Sequence, residues 1–232
     1  MFNIKFLETV IGIDNRYPYI EDFCRDYIVY EKADIVFSAD NQELEFEDDG
    51  KGFDRGYLES LAIYRKIAKY FIDLDGFLLH CALISVNEHG IAFAAHSGVG
   101  KSTHVMLWKK LLQNDVEIIN GDKPLVRFFN DVPYACGTPW AGKEGFNVNK
   151  SVILKNICFL ERSPHNYIKP LDKGEAAKKL FSQVYMPKNP KQLVKTMELI
   201  DKLIKNTDVY AVGCNTDISA AKIVYDKIFG EK

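Results

Sequence analysis

The sequence lacks the patterns that mark a disulfide-bonded or a zinc-binding protein. Its 232 residues include five cysteines, but these are scattered and no two of them form a C-x-x-C pair. Most of the cysteines stand within apolar runs, which favours reduced, buried thiols. No pair of histidines has the spacing of metal ligands, so the sequence does not indicate a zinc site.

Targeting and membrane-spanning segments are missing as well. The N-terminus has no signal-peptide layout, and no apolar run has the length needed to cross a bilayer. The formal net charge is only −2, which argues against a nucleic acid or an anionic membrane as the main partner. There is also no internal repeat or low-complexity run. We therefore predict a cytoplasmic globular protein.

The most informative stretch is residues 95–103, which read Ala-His-Ser-Gly-Val-Gly-Lys-Ser-Thr. An apolar run, Ile91–Ala94, precedes it, and a predicted helix, Thr103–Leu112, follows it. A strand, a glycine-containing loop that ends in Gly-Lys-Ser, and a helix are the context of a phosphate-binding P-loop. Ala95 stands where the first glycine of a P-loop usually lies, which is compatible with a negative φ. The alternative is a glycine-rich turn between two structural elements.

The P-loop interpretation assigns chemistry to individual residues. Glycines let consecutive N–H groups turn inward, and the helix N-terminus adds partial positive charge, so the loop can cradle a polyphosphate. Lys101 would reach the β- and γ-phosphates, and the Ser102 hydroxyl would ligate Mg²⁺. The predicted nucleotide-binding residues are Ser97, Gly98, Val99, Gly100, Lys101, Ser102 and Thr103.

Hydrophobic periodicity divides the chain into two predicted domains. Residues 1–53 carry short apolar or alternating runs between turn residues, which predicts an antiparallel, β-rich subdomain. Residues 54–232 form the predicted nucleotide-binding kinase core, of mixed α/β class, which begins with a helix over 54–72 capped by Asp54. The strands predicted in the N-terminal part are 2–6, 27–30, 35–37 and 44–46.

In the core, strands 77–86 and 91–95 form a predicted hairpin that leads directly into the P-loop. This entry differs from the parallel βαβ entry of ordinary P-loop NTPases. Further elements are predicted from periodicity and turn signals. They are strands at 116–119, 125–129, 132–135, 157–160 and 209–212, and helices at 174–183, 189–205 and 217–229.

Three side chains outside the P-loop are candidates for catalysis. Asp122 ends a predicted strand about twenty residues after Lys101, where a carboxylate could hold Mg²⁺ or take a proton from an attacking hydroxyl. The alternative is an ordinary turn aspartate. His80 lies in an apolar strand, and a lone histidine there is more often a core residue than a catalyst. Lys143 lies in the glycine-containing loop 137–145, which is either an approach to a phosphate or acceptor or an ordinary surface turn.

With these residues in order, the chain resembles the HPr kinase/phosphorylase family, within the phosphoenolpyruvate-carboxykinase-like group of P-loop kinases. The resemblance rests on Leu79-His80, residues 96–102 and Gly121-Asp122, and it covers about residues 76–162. It implies a mixed sheet, with Lys101 and Ser102 at the phosphates and Mg²⁺. It also implies that His80 lies near the γ-phosphate.

The resemblance further implies that Asp122 is the catalytic carboxylate and a second Mg²⁺ ligand, on a strand next to the P-loop strand. Two departures from the family pattern are visible. The family has two adjacent aspartates, whereas here Gly121 precedes the single Asp122. The family's later Arg-Gly catalytic loop has no clear copy, and residues 142–145, with Lys143, occupy a similar place.

We therefore predict an ATP-dependent kinase, with ATP or another nucleoside triphosphate and Mg²⁺ as cofactors. The γ-phosphoryl group would pass to a hydroxyl, plausibly a serine of a protein or precursor peptide, with a small-molecule acceptor still open. The alternative is a nucleotide-binding regulatory or accessory protein with little turnover, which the missing second aspartate favours. The family's hexamers leave a homo-oligomer open.

Overall fold

A four-stranded sheet forms the N-terminal part of the protein in a computed structural model, which describes residues 1–230. The strand order is β3-β1-β2-β4, and every pairing except β2 with β4 is antiparallel, so the predicted antiparallel sheet has one parallel edge. The elements of this part are β1 (Phe2–Phe6), β2 (Thr9–Ile13), α1 (Tyr19–Phe23), β3 (Ile28–Val29), β4 (Ile35–Phe37) and α2 (Asn41–Glu47).

The prediction of a strand at 44–46 is wrong, because these residues lie within α2. The Asp40 side chain accepts the Glu43 N–H at 2.9 Å, and the Glu43 carboxylate accepts the Asp40 N–H at 3.0 Å. Such a capping box satisfies N–H groups that would otherwise have no partner and starts a helix. Strand β2, which the sequence analysis did not identify, takes the central place beside β1.

Helix α3 (Arg55–Asp73) joins the N-terminal sheet to the rest of the protein. Asp54 caps it by accepting the Gly56 N–H at 2.8 Å, as predicted. One apolar core contains residues of β1, β2, α1 and α3 together with Leu125 and Cys136 of the second sheet and Trp140 of the loop that follows Cys136. The division of the chain at residues 53 and 54 stays a prediction.

The second sheet has nine strands, with the order β5-β9-β10-β11-β7-β6-β8, and β13 and β12 continue from β11. Strands β7, β11 and β13 are parallel to one another, whereas β6 is antiparallel to both β7 and β8. The sheet is therefore mixed, as predicted. Its strands are β5 (Gly76–Leu78), β6 (Ala82–Val86), β7 (His89–Ala94), β8 (Glu117–Asn120), β9 (Leu125–Phe129), β10 (Val132–Cys136), β11 (Ser151–Arg162), β12 (Tyr167–Pro170) and β13 (Asp208–Cys214).

Four further helices accompany this sheet. Helices α5 and α6 contribute to a core on one face, and α4 and α7 contribute to a separate core with β6, β7 and β13. The ends of all four helices agree with the predicted ends to within three residues. The helices are α4 (Lys101–Leu112), α5 (Lys173–Phe181), α6 (Pro190–Asn206) and α7 (Ser219–Phe229).

The prediction of one strand at 77–86 is wrong, because these residues form two strands, β5 and β6, that lie far apart in the strand order. Strand β5 stands five places from β6 in the strand order, which would be about 24 Å in a flat sheet. Only residues 79–81 connect the two, and such a segment spans at most about 14 Å. The sheet therefore curls until its two sides approach each other.

A second short connection crosses the same gap. Residues 121–124 join β8 to β9, which also stand five places apart. The two connections are hydrogen-bonded, with the Leu79 N–H donating to the Pro124 carbonyl at 3.2 Å and the Cys81 N–H donating to the Asp122 carbonyl at 3.0 Å. We call residues 79–81 and 121–124 the seam. His80 and Asp122 both lie on it.

Among residues 1–230, no helix combines the length and the apolar character that crossing a membrane requires.

Candidate functional site

The loop between β7 and α4, residues 95–100, has the conformation that its glycines permit. Gly98 and Gly100 have φ angles of +80° and +125°, which side-chain-bearing residues rarely adopt. No atom lies within 4 Å of a Cβ built on Gly98, and only Thr103 comes as near as 4.0 Å at Gly100. We call this segment the glycine loop. It presents open backbone to the solvent at the start of α4.

The N-terminus of α4 has no side-chain cap. The N-cap residues of three other helices, Asp54 of α3, Asp172 of α5 and Asn189 of α6, each accept a first-turn N–H through a side-chain oxygen. Gly100, at the N-cap of α4, has no side chain, and Ile218, at the N-cap of α7, has none that accepts a hydrogen bond. The first N–H groups of a helix have no partner within the helix and carry partial positive charge. The start of α4 is therefore suited to an anion.

Arg162, at the end of β11, contacts the glycine loop from its other side. Its guanidinium donates to the Gly98 carbonyl, and its Nε approaches the Val99 carbonyl at 3.5 Å. In a trans peptide unit the N–H points opposite to the C=O. The Val99 carbonyl faces Arg162, so the Gly100 N–H, which belongs to the same peptide unit, points away from Arg162.

Lys101, His80 and Asp122 form a connected cluster at the end of the glycine loop. The Lys101 ammonium donates to the Ala95 carbonyl at 3.0 Å and lies 3.3 Å from the His80 Nε2 atom. The same Nε2 atom lies 3.1 Å from the Asp122 Oδ1 atom. His80 is half-buried and contacts two charged groups, so it does not have the surroundings of a core histidine.

Only one of these two contacts of His80 can be a full hydrogen bond at a time. If Nε2 carries the proton, it donates to Asp122 and has no lone pair for Lys101. If Nδ1 carries the proton, Nε2 accepts from Lys101 and offers nothing to the carboxylate. The tautomer of His80 thus decides whether the ring is paired with the lysine or with the aspartate.

The charges of the cluster shift two pKa values. Burial raises the pKa of Asp122, but the hydrogen bond and charge of His80 and the charges of Lys123 and Lys101 outweigh burial, so the pKa lies below its ordinary value. Burial lowers the pKa of Lys101, against the opposing influence of Asp122, Cys81 and Glu144. At neutral pH the carboxylate of Asp122 is ionised.

Asn120 holds Asp122 in place, and the sequence analysis missed this role. Its buried Oδ1 atom accepts the N–H groups of Asp122 at 2.9 Å and of Lys123 at 2.8 Å, and its Nδ2 atom donates to the Thr138 carbonyl at 2.9 Å. An asparagine that accepts the N–H two residues later forms an Asx-turn. The run Asn-Gly-Asp at 120–122 contained this signal.

Two glycines beside Asp122 leave no room for side chains. A Cβ at Gly121 would lie 2.5 Å from the Ala141 carbonyl oxygen, which is backbone and cannot move aside cheaply. A Cβ at Gly142 would lie 3.1 Å from the Cβ atom of Asp122. The close approach of residues 141 and 142 to the seam therefore explains why a second aspartate does not fit at position 121.

The prediction that the Asp122 strand adjoins the strand before the glycine loop is wrong. Strand β8 pairs with β6, and β6 lies between β8 and β7. The contact between the two strand ends is made instead by His80, which precedes β6 and reaches both Lys101 and Asp122. The predicted hairpin that leads into the loop is confirmed, as β6 and β7 pair directly across Asn87 and Glu88.

Lys143 is separate from this cluster. It is exposed and lines a second cavity, of which Asp122 also forms part. Its loop neighbour Glu144 acts electrostatically on Lys101. Arg127, on β9, is also separate from the cluster, because its guanidinium donates to the Leu7 and Leu74 carbonyls and joins the two sheets.

A cavity of about 500 Å³ lies beside the glycine loop, and we call it the loop cavity. Residues 98–100, Thr103 and His104 form one wall, and the ends of β11 and β13 form the other. Burial lowers the pKa of His104 to about 4, so its ring is neutral. Trp108 donates to its Nε2 atom at 3.2 Å, and its buried Nδ1 atom has no partner among the described residues.

The donors at this site are compatible with Mg²⁺ that accompanies a polyphosphate. Ser102 and Asp122 offer a hydroxyl and a carboxylate oxygen, and Mg²⁺ commonly takes one or two protein ligands with phosphates and water as the rest. Within residues 1–230 no group of three His, Cys, Asp or Glu side chains could hold a metal ion by itself. Phosphate oxygens would therefore supply part of the coordination.

Comparison with known proteins adds three findings. The Hpr(Ser) kinase/phosphatase from Coxiella burnetii, a solved structure, is similar over 65% of this chain and 95% of that chain, with 8% identity and a TM-score of 0.37. A similarity this low supports no conclusion about fold or function. No curated protein matches the sequence. Residues 57–202, more than half of the chain, match the protein family described as SynChlorMet cassette protein ScmC. The chain therefore belongs to that family.

Proposed function

We propose that the protein is an ATP-dependent phosphotransferase that transfers the γ-phosphoryl group to a hydroxyl. One observation carries this proposal: the uncapped N-terminus of α4 and Lys101 are connected through His80 to an ionised carboxylate, Asp122. An anion site next to a carboxylate is what transfer of a phosphoryl group to a hydroxyl requires, because the reaction depends mainly on alignment and charge stabilisation.

The glycine loop and the first turn of α4 would bind the phosphates through backbone N–H groups, with Lys101 as the point charge. The loop cavity, next to residues 98–100, would hold the nucleoside. Mg²⁺ would be held by Ser102 and Asp122 together with phosphate oxygens, and it would neutralise charge on the phosphates. The bound cation and Lys101 would both favour the ionised form of Asp122.

Asp122 would take the proton of the acceptor hydroxyl as the acceptor oxygen attacks phosphorus. His80 would act as a positioning residue. When a phosphate draws the Lys101 ammonium toward itself, Nε2 no longer accepts a hydrogen bond from Lys101. The tautomer with the proton on Nε2 can then form and donate to Asp122. The tautomer would thus change with nucleotide binding, and the carboxylate would be oriented only when the nucleotide is present.

A nucleotide-binding accessory protein is the second candidate, and the single carboxylate favours it. Position 121 has no space for another aspartate, and Glu161, the neighbour of Arg162 in β11, is paired with the Tyr167 hydroxyl. Asp122 would therefore have to serve both as base and as metal ligand. The two candidates differ in turnover and not in nucleotide binding.

The test compares binding with transfer in the same preparation. Calorimetry with Mg-ATP measures binding, and γ-labelled ATP with an extract of the source cells measures transfer to an acceptor. General-base assistance is worth typically 10²–10⁴-fold, so Asp122→Asn should slow transfer by about that factor while ATP affinity changes little. Asp115→Asn, which replaces an exposed aspartate that forms no ion pair within residues 1–230, is the matched control.

Each outcome decides between the candidates. ATP binding with transfer that depends on Asp122 supports the phosphotransferase. ATP binding without transfer by the parent protein supports the accessory protein. Absence of ATP binding contradicts both, and near-normal transfer by Asp122→Asn contradicts the role of Asp122.

A further inference from the structure

A second cavity, of about 380 Å³, opens on the Asp122 side of the cluster, and we call it the aromatic cavity. Four segments that are far apart in the sequence form it. They are α1 with Tyr19 and Phe23, α3 with Tyr57 and Leu61, the seam with Asp122 and Lys123, and the loop 140–143. Its volume is near the lower end of the range for ligand pockets, which suits an occupant about the size of one amino acid or its side chain.

Aromatic rings line this cavity in an unbroken series. Tyr19 contacts Tyr57 edge to face at 6.1 Å and stacks with Phe23 at 5.6 Å. Phe23 meets Trp140 edge to face at 5.6 Å, and Trp140 stacks on the buried Tyr64 at 4.0 Å with the rings 5° from parallel. Partly exposed ring edges and faces such as those of Tyr19 and Tyr57 bind another aromatic ring favourably.

Trp140 is the most deeply buried of the aromatic residues that line the cavity. Only 4% of its surface is exposed, and its Nε1–H has no hydrogen-bond partner within residues 1–230. A buried donor without a partner is costly, and an indole N–H in a protein interior is normally paired. Because this N–H is enclosed by protein atoms, an occupant of the cavity would contact the ring of Trp140 and not its N–H.

Two cations stand at the same cavity without anionic partners. Neither the Lys123 nor the Lys143 ammonium forms an ion pair with the described residues, although ten ion pairs with a lysine or arginine occur elsewhere. Lys123 lies close enough to lower the pKa of Asp122, and Lys143 is exposed on the adjoining loop. The cavity thus combines an aromatic wall, two unpaired positive charges and the carboxylate that would take a proton.

We propose that the aromatic cavity is the acceptor site, and that the acceptor carries an aromatic ring with a carboxylate a few atoms away and a hydroxyl that reaches Asp122. The proposal rests on the proposed function. The hydroxyl can be on the ring itself, as in tyrosine, or on a neighbouring serine. In either case the acceptor oxygen forms a bond to the γ-phosphorus, its proton passes to Asp122, and the bond from the γ-phosphorus to the β–γ bridging oxygen breaks, so that ADP leaves with that electron pair.

Binding is tested first, on the wild-type protein and without nucleotide. Calorimetry compares N-acetylphenylalanine, which has the ring and the carboxylate, with its amide and with N-acetylalanine. Because the ring contacts aromatic walls, N-acetylalanine should bind at least 10-fold more weakly. Because the lysines are partly exposed, the amide should bind about 3- to 5-fold more weakly.

Variants assign the binding to this cavity. Tyr57→Leu should weaken N-acetylphenylalanine about 5-fold, whereas Tyr30→Leu, at a fully exposed tyrosine, should not. Lys143→Gln should remove most of the preference for the carboxylate, whereas Lys155→Gln, at another exposed lysine, should keep it. Equal affinity for all three compounds, or no response to Tyr57→Leu and Lys143→Gln, would overturn the proposal.

Transfer then distinguishes an acceptor site from a mere binding site. N-acetyltyrosine and N-acetyl-seryl-phenylalanine are incubated with γ-labelled ATP, with N-acetylphenylalanine as a competitor. Labelling of either compound, inhibited by the competitor, supports the acceptor site and shows which hydroxyl is used. Binding without labelling of either one, in a protein that labels some other compound, would overturn it. If the protein binds no ATP at all, the proposed function fails even though the cavity still binds the ring.

Discussion

The two cavities on either side of the Lys101–His80–Asp122 cluster are built in opposite ways. The loop cavity has one wall of backbone, with two glycines and the uncapped start of α4, and a second wall from the ends of β11 and β13. The aromatic cavity has walls of side chains from four segments, which meet only when α1 and α3 pack against the loop after β10. Under the proposed function, the backbone wall would bind the phosphates that all nucleotides share, whereas the side-chain walls would select the acceptor.

The substitution Lys101→Ala should have the largest effect, and it should weaken the binding of only one of the two ligands. Truncating one partner of a buried charge contact commonly costs 2–5 kcal/mol, so Mg-ATP affinity should fall on the order of 10³-fold. The affinity for N-acetylphenylalanine should stay within about 2-fold, because Lys101 does not line the aromatic cavity. Calorimetry with both ligands checks this, and unchanged ATP binding would contradict the nucleotide site.

A second change tests the place where the two cavities meet. Gly142→Ala puts a methyl group 3.1 Å from the Asp122 Cβ atom at a φ of +80°, so the aspartate must shift. The required shift is a few tenths of an ångström, and a displacement of about 1 Å in a catalytic group can cost about 10²-fold in rate. We therefore expect transfer to slow by up to about 10²-fold, with ATP affinity unchanged.

Gly145→Ala is the matched control for that change. Gly145 also has a positive φ, of +66°, but a Cβ there meets nothing within 4 Å. It therefore introduces the same backbone strain without the contact to Asp122. If both variants slow transfer equally, strain in the loop and not the position of Asp122 is responsible.

The smallest effect concerns the buried wall of the loop cavity. Since the folded-state pKa of His104 is about 4, below its ordinary value of 6.5, its contribution to stability is present above pH 6.5 and is lost as the pH falls toward 4. At pH 5 the loss should be about 2 kcal/mol. Urea unfolding at pH 7.5 and 5.0 measures it.

His104→Gln provides the comparison, because its amide oxygen can still accept the Trp108 indole N–H but cannot be protonated. The variant should lose about 2 kcal/mol less than the wild type between the two pH values. The aromatic cavity has no histidine in its wall, so ring binding there should not follow this transition. Identical pH dependence in both proteins would show that His104 is not buried as a neutral ring.

The sequence predicted the glycine loop and its flanking strand and helix, but not the aromatic cavity, because the information for the loop is local. The glycine positions, Lys101 and the following helix are contiguous, and glycine conformation and helix N-termini follow from near neighbours. The capping box of Asp40 and Glu43 is an equally local signal, and the prediction of a strand at 44–46 did not take it into account. That error was therefore avoidable.

Other errors were not avoidable from one sequence. The apolar run 77–86 has no turn residue that would mark its division, and it is divided because β5 pairs with β9 whereas β6, five places from β5 in the strand order, pairs with β7 and β8. For the same reason the place of β8 beside β6 was not predicted from the sequence. The aromatic wall depends on contacts between residues 19–61 and 140–143, and ring contacts over such separations leave no periodic signal.

The seam also has a consequence for how the protein folds. His80 and Asp122 are brought together by hydrogen bonds between residues about 42 positions apart, and such long-range pairing is slow to form. Strand pairs such as β6 with β7, joined by a two-residue turn, can form much earlier. In a partly folded chain the hairpins can be present before the hydrogen bonds of the seam have formed. His80 and Asp122 are then not in contact, and the site is absent. Loss of activity would therefore precede loss of secondary structure when the protein is partly unfolded.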